Sequence, residues 1–145
     1  MGAGLVPLML AASTPALSAT HEAGAFQVAG FTRKDAICST DCDQDPSPAG
    51  YQPGRIDQLA DLNGDGLPEA IITEGSLFCY GNTGTGFRLV GKQRTGRWIL
   101  LYQSQGIPRL LGTRANGWPE LEVGGPGFCY SVLRWNGGKY AIHRH

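Results

Sequence analysis

Oxygen-bearing side chains alternate over residues 61–69, directly before an apolar run. They occupy the first, third, fifth and ninth positions, and Gly66 occupies the sixth, where a calcium-binding loop bends sharply. Calcium takes six to eight oxygen ligands, which such side chains, a backbone carbonyl and water can supply together. We therefore predict one calcium ion per chain. Its predicted ligands are Asp61, Asn63, Asp65, Leu67 through its backbone carbonyl, and Glu69.

The residue that follows this loop distinguishes two kinds of calcium motif. A helix-loop-helix site needs a bidentate glutamate at its twelfth position, but that position is Ile72, within a β-branched run. The loop is therefore predicted to lead into a β-strand. The alternative is an ordinary turn, because Asn-Gly and Asp-Gly pairs are common in turns. A turn, however, needs only a few such residues, whereas here the oxygen donors continue to Glu69.

Composition and turn signals indicate the fold class. The chain has 145 residues, no net charge, 22 glycines and 9 prolines, which is typical of one domain with many turns. From residue 54 onward, short apolar runs alternate with turn signals such as Asn-Gly and Gly-Gly. We predict an all-β domain of short antiparallel strands with little helix. The predicted strands are 26–31, 55–60, 69–73, 77–80, 87–92, 97–103, 109–112, 120–123, 128–135 and 139–143.

The N-terminal segment is predicted to be a signal peptide, residues 1–19, with residues 20–145 forming the domain. It contains an apolar run, no charge before Glu22, and small residues for cleavage near Ala19. It departs from the usual pattern because it carries no Lys or Arg, so a buried helix or an anchor stays an alternative. The apolar run is short and interrupted by proline, so no membrane span is expected. A periplasmic or secreted location follows.

The cysteine content agrees with an oxidising compartment. The 4 cysteines allow three pairings. We predict that Cys38 pairs with Cys42, which would tie an acidic, Pro-rich loop near the N-terminus, and that Cys79 pairs with Cys129. The alternative is a zinc site, but the spacing matches zinc motifs poorly and no histidine lies nearby.

The chain resembles itself at an offset of about 50 residues. Residues 66–69 align with 117–120, and Phe-Cys-Tyr at 78–80 aligns with the same tripeptide at 128–130. This predicts two copies of one β unit, at about 54–103 and 104–145, each burying a face on the other. Equivalent strand positions would then bring Cys79 and Cys129 together.

The second copy has lost the calcium ligands. Gly112, Arg114 and Asn116 stand where the first copy has its first three ligands. Arg114 would place a cation where the ion would otherwise lie. This difference is why a single ion is expected.

The loop of residues 61–72, together with the Gly/Asn/Thr-rich turn at 81–86 that precedes Phe87, resembles the FG-GAP and VCBS repeats of integrin alpha chains and bacterial surface proteins. The resemblance covers about 57–90 well and 108–142 weakly. It implies that each unit is similar to a β-propeller blade, with calcium in an inter-strand loop, although Glu69 departs from the more usual Asp. Two units cannot close a propeller, so a small domain of two blade-like units is expected.

The resemblance implies a calcium-binding module that serves ligand recognition or adhesion, with the ion in a structural role. The alternative is a periplasmic inhibitor of an extracellular enzyme. We expect no catalysis, because all three histidines lie near the ends of the mature chain. A hydrolase using Glu120 and Glu122, which share one strand face, is a further alternative.

Charge is unevenly distributed along the chain. Ten of the 12 acidic residues precede residue 75, whereas nine of the 12 basic residues follow it. A basic face could meet an acidic protein or glycan ligand, while nucleic acid is not expected as a partner of an exported, neutral chain. The predicted partner surface consists of Trp118, Arg88, Lys92, Arg94 and Arg97.

Overall fold

The structure, a computed structural model, describes residues 2, 4, 19–47, 50–127 and 130–145. The predicted signal peptide therefore lies almost entirely outside the described residues, as do the start of the predicted strand 128–135 and Cys129. Two α-helices, α1 and α2, span Ala19–Val28 and Leu77–Tyr80, and two short 3-10 helices span Asp41–Gln44 and Gly81–Thr83. The strands, β1 to β10, are Thr32–Lys34, Ile37–Ser39, Gln52–Ala60, Glu69–Gly75, Thr85–Lys92, Trp98–Gln105, Ile107–Ala115, Trp118–Gly124, Ser131–Trp135 and Tyr140–Arg144.

The strands form two four-stranded antiparallel sheets and a small hairpin. The first sheet has the order β3-β4-β5-β6, the second has the order β10-β9-β8-β7, and β1 pairs with β2. Each larger sheet is thus a meander of four consecutive strands, and neither closes into a barrel. The predicted all-β class of short antiparallel strands in one small domain is confirmed. The first sheet spans 52–105 and the second 107–144, alongside the predicted units at 54–103 and 104–145.

The two sheets share an apolar core. Successive side chains of a strand point to opposite faces, and in β4 both faces are covered: Ile71 is packed towards the second sheet, whereas Ile72 is packed towards α1. This explains the uninterrupted apolar run after the loop. The core between the sheets contains Ile71, Phe87, Leu89, Trp118, Leu121, Leu133 and Tyr140.

The helix α1 corrects the prediction of a strand at 26–31. Ala25 and Ala29, one helical turn apart, are both buried against the first sheet near Trp98. The helix ends at Val28, and Gly30 two residues later has a left-handed φ of 90°. Phe31 N–H donates to the Phe26 carbonyl at 3.0 Å, which is the glycine-terminated end that sequence inspection overlooked. Among the described residues, no helix is long and apolar enough to cross a membrane.

The predicted strand 77–80 is also wrong, because these residues form the single helical turn α2. Ser76 accepts a hydrogen bond from the Cys79 amide at 3.2 Å, and Asp45 accepts one from the Leu77 amide at 2.7 Å. Both are side-chain caps that favour a helical start. The amides of Ser47 and then of Phe78 and Leu77 lower the pKa of Asp45 to about 2.

The disulfide of the described residues joins Cys42 to Cys79, with Cα atoms 5.7 Å apart. The predicted pairings Cys38–Cys42 and Cys79–Cys129 are therefore wrong. Asp45 and Ser76 bring the acidic loop against α2, so that Cys42 lies beside a cysteine 37 residues away. The loop is tied to the first sheet rather than to itself.

Gly86 provides a test of how closely α2 packs on the first sheet, because it lies against the Tyr80 ring. A Cβ atom at Gly86 would lie 2.2 Å from Cζ of Tyr80, so the tyrosine ring must move. We expect Gly86→Ala to lower the free energy of unfolding by about 1–3 kcal/mol, as overpacking does. The matched control is Gly112→Ala, because no atom lies within 4 Å of its added Cβ. Urea denaturation of both variants checks this, and equal midpoints would contradict it.

The candidate calcium loop and the adjoining cleft

The loop between β3 and β4 winds around its own acidic side chains. Asp61 accepts the amides of Gly64 and Gly66, each at 2.8 Å, through its two carboxylate oxygens. The amide of Gly66, followed by that of Gly64, holds the pKa of Asp61 below its ordinary value. Asn63 accepts the Asp65 amide at 3.1 Å, and Asp65 accepts the Leu67 amide at 2.8 Å. The predicted ligand residues therefore determine the conformation of the loop.

Glu69 ends this loop as the first residue of β4. Only 3% of it is exposed, and its Oε2 accepts the Leu62 amide at 2.6 Å. Burial raises the pKa of Glu69 to about 7, and the charges of Asp65 and Asp61 contribute, although the Leu62 amide opposes the rise. The three carboxylates are thus near enough to repel one another.

Within the described part of the chain, no three acidic, histidine or cysteine side chains converge closely enough to hold a metal ion. Each loop carboxylate instead accepts backbone amides. The donor set nevertheless fits calcium by its chemistry, because carboxylate, amide and carbonyl oxygens are the ligands of a hard cation. Gly64 and Gly66, with φ of 79° and 83°, supply the left-handed turns that let the chain wind around these oxygens.

Arg114 connects this loop to the corresponding turn of the second sheet. Its Nη2 donates to the Leu62 carbonyl and to the Gly117 carbonyl, both at 2.7 Å. This arginine therefore bridges the two turns. Asn116 in the same turn donates to the Trp135 carbonyl at 2.6 Å.

The hairpin between β5 and β6 lies on another side of the loop. The Lys92 amide donates to the Pro68 carbonyl at 3.0 Å. The Gln93 amide donates to the Arg97 carbonyl at 2.7 Å, which closes the hairpin. Because of these bonds, the basic hairpin stays beside the acidic loop.

The loop, this hairpin and two tryptophans line an open cleft of about 470 Å³, which we call the loop cleft. The indole rings of Trp118 and Trp135 are stacked with centroids 4.4 Å apart. Trp118 is only 9% exposed, so most of it packs in the core. The polar residues that line the loop cleft are Asn63, Asp65, Glu69, Lys92, Gln93 and Arg94.

The residues of the predicted partner surface do not form one surface in the structure. Trp118, Lys92 and Arg94 line the loop cleft, and Arg97 lies exposed on the same hairpin. Arg88 is misassigned, because its Nη1 contacts the Glu74 carboxylate at 3.0 Å and its side chain is only 14% exposed. Its position in the middle of β5, an inner strand of the first sheet beside the buried strand β4, explains this.

Glu74 forms a buried polar centre that sequence reasoning missed. Its Oε1 accepts from Arg88 and from the Tyr80 hydroxyl at 2.6 Å. Its Oε2 accepts from the Thr40 hydroxyl at 2.8 Å and from the Tyr51 hydroxyl. Burial alone would raise the pKa of Glu74, but these bonds, led by that from Tyr51, outweigh burial and hold it below its ordinary value. Burial and the Glu74 hydrogen bond raise the pKa of Tyr80 to about 12.

Glu120 and Glu122, the candidate acid and base, each face an arginine. Glu122 contacts Arg109 at 3.0 Å, and Glu120 lies 3.5 Å from Arg134. A hydrogen bond from Thr113 and the Arg134 charge hold the pKa of Glu120 below its ordinary value. A general acid at neutral pH needs a raised pKa, so this arrangement favours ion pairing.

Comparisons with protein-family models, with curated proteins and with solved structures found no match for this chain.

Proposed function

We propose that this chain is an exported calcium-binding β-repeat module of the FG-GAP and VCBS type, in which a structural calcium ion supports ligand recognition. The observation that carries the proposal is the loop 61–69. Asp61, Asn63 and Asp65 each fix the loop through amide hydrogen bonds, and they remain close to the buried Glu69. Such an array of oxygen donors is costly without a cation, because its carboxylates repel one another.

The side chains of Asp61, Asn63, Asp65 and Glu69 and the Leu67 carbonyl would hold the ion. A bound calcium ion would offset the repulsion among the carboxylates and so favour the folded state. Arg114 extends this effect, since it ties the loop to the second sheet through the Leu62 carbonyl. The ion's proposed work is therefore to stabilise the junction of the two blade-like sheets.

An extracytoplasmic location, periplasmic or secreted, forms part of this proposal. The disulfide between Cys42 and Cys79 supports it, because disulfides persist mainly in oxidising compartments. Recognition rather than catalysis is proposed because the candidate carboxylates Glu120 and Glu122 are engaged by arginines. The inhibitor alternative has no particular contact in its favour.

The test is thermal unfolding with chelator and with calcium. For a dissociation constant of about 0.1 mM, calcium at about 10 mM should stabilise the fold by about 2.7 kcal/mol, a rise in Tm of several degrees. Asp65→Ala removes a predicted ligand and should abolish the rise. Asp43→Asn is the matched control, since Asp43 is an exposed acid outside the loop, and it should keep the rise.

Two results would contradict the proposal. One is a wild-type Tm that does not change with calcium. The other is an equal rise in the wild type and in Asp65→Ala, which would place the calcium effect elsewhere. Magnesium at the same concentration should give a smaller rise, because it requires near-ideal octahedral geometry that a flexible loop of this kind does not impose.

A further inference from the structure

The loop cleft has the size and composition of a ligand site. Its volume of about 470 Å³ falls within the range of about 300–1000 Å³ that is usual for small-molecule clefts. It combines an aromatic wall with side-chain amides, acids and bases, which is the mixture that fixes a polar ligand in one orientation. The predicted calcium loop forms one of its walls.

Charges of opposite sign stand on different walls of the loop cleft. Asp65 and Glu69 lie on the loop side, whereas Lys92 and Arg94 lie on the hairpin side. No hydrogen bond or ion pair described for the loop or the hairpin joins either of the two acids to either of the two bases. The hydrogen bond between Lys92 N–H and the Pro68 carbonyl keeps the walls in place. An anionic group entering the cleft would therefore meet two cations on a hairpin whose backbone is held beside the loop.

The aromatic wall suits a ring that presents C–H groups. Trp135 is half-buried and lines the cleft, and its ring is held by stacking on Trp118 at 4.4 Å. The Asn116 hydrogen bond to the Trp135 carbonyl fixes its backbone. The face of an indole carries partial negative charge and attracts partly positive hydrogens. The C–H face of a sugar ring has this character, while its hydroxyl groups suit Asn63 and Gln93.

We propose that the loop cleft binds an acidic saccharide, whose carboxylate or sulfate pairs with Lys92 and Arg94 and whose ring packs on Trp135. The inference rests on the proposed function, because the loop carboxylates would repel such a ligand unless calcium offsets their charge. Binding is therefore expected to require calcium. Gly137 and Gly138 also line the cleft, where the absence of side chains lets a ring approach the backbone.

The experiment is calorimetric titration of the oxidised, full-length domain with a panel of probes in calcium. The acidic probes are trigalacturonate, a heparin-derived tetrasaccharide and sialyllactose, and the neutral ones are galactotriose and lactose. Triglutamate serves as an acidic peptide of similar charge. We expect at least one acidic saccharide to bind at least about tenfold more tightly than its neutral counterpart and than triglutamate, because a charged hydrogen bond commonly contributes that much.

Variants locate the binding. Arg94→Gln and Lys92→Gln should each weaken it about tenfold, whereas Arg97→Gln, an exposed arginine on the same hairpin outside the cleft, should leave it unchanged. Trp135→Phe keeps an aromatic ring stacked on Trp118. If that variant does not fold, the contact between the saccharide and Trp135 is tested by indole fluorescence in Trp98→Phe, which removes the tryptophan that does not line the cleft. Quenching by the bound saccharide is expected there.

The proposal is overturned if no acidic saccharide binds, if triglutamate binds as tightly, or if Arg97→Gln weakens binding as much as Arg94→Gln. Saccharide binding that persists in chelator would contradict its dependence on calcium. Failure of this inference is separable from failure of the proposed function. A calcium-dependent rise in Tm without saccharide binding overturns only the saccharide, whereas the absence of that rise overturns the calcium site.

Discussion

Arg88→Met is expected to lower the free energy of unfolding by about 3–5 kcal/mol, because it leaves the Glu74 carboxylate buried without its cation. Glu74 is 2% exposed, and Arg88 is the only charged group among the four donors described above. Methionine keeps much of the aliphatic volume beside Phe31, whose ring centroid lies 4.8 Å from the guanidinium carbon. The loss would therefore reflect charge more than packing. Urea denaturation at neutral pH measures it.

The matched control is Arg55→Met. Arg55 contacts Asp57 at 2.9 Å, but its side chain is 76% exposed. Exposed ion pairs contribute about 0–1 kcal/mol, so this variant should behave almost as the wild type. An Arg88→Met variant no less stable than Arg55→Met would contradict the assignment of Glu74 as a buried, ionised group.

The pH dependence adds a second readout for Glu74. Its folded pKa lies below the ordinary value of 4.5, so its ionised form stabilises the fold above that pH. This contribution should be lost as the pH falls through the folded pKa. In Arg88→Met, burial favours the protonated form of Glu74. The loss of stability of this variant relative to the wild type should therefore shrink as the pH falls.

Tyr80 has a pKa that is raised to about 12. Its protonated form stabilises the fold, so the free energy of unfolding should decrease as the pH rises above 10.

Local patterns predicted the parts of this molecule that depend on neighbouring residues. The turn at 61–69, the strand that begins at Glu69 and the antiparallel strands that follow it all agree with spacing and turn signals along the chain. The polar centre could not be predicted this way, because Thr40 and Glu74 are separated by 34 positions. Neither residue carries a local signal of pairing, and only the fold brings them together.

Two errors have a common cause. The stretches 26–31 and 77–80 are short and apolar, so periodicity does not distinguish a strand from a helical turn. Gly30, with its left-handed φ, closes the end of α1, and Ser76 caps α2, whereas the prediction placed Gly30 inside a strand and gave Ser76 no role. In each case the capping residue, rather than the apolar run, carried the information.

The arrangement of the outer faces explains how two blade-like sheets can form one domain. The helix α1 covers the face of the first sheet that points away from the second. The opposite face of the second sheet carries the ion pairs Glu120–Arg134 and Glu122–Arg109, since Leu121 between them points into the shared core. Another blade would have to displace α1 or bury these charges, and both changes are costly.

Replacing Cys42 and Cys79 together by serine is expected to lower the free energy of unfolding by about 4 kcal/mol on the chain-entropy model. The bond spans 37 residues, so its loss releases a long loop in the unfolded chain. The same bond holds the acidic segment against α2, next to the Tyr80 hydroxyl that donates to Glu74. Losing it should therefore also weaken the polar centre.

Reduction of the wild type by dithiothreitol provides the control for this double variant, because it breaks the bond without changing side-chain volume. Reduced wild type and the double variant should unfold at similar urea concentrations, and both below the oxidised wild type. Peptide mapping of the oxidised protein should recover a fragment pair joined through Cys42 and Cys79. A single fragment with an internal bond between Cys38 and Cys42 instead would overturn the assignment, and the acidic segment would then be tied only to itself.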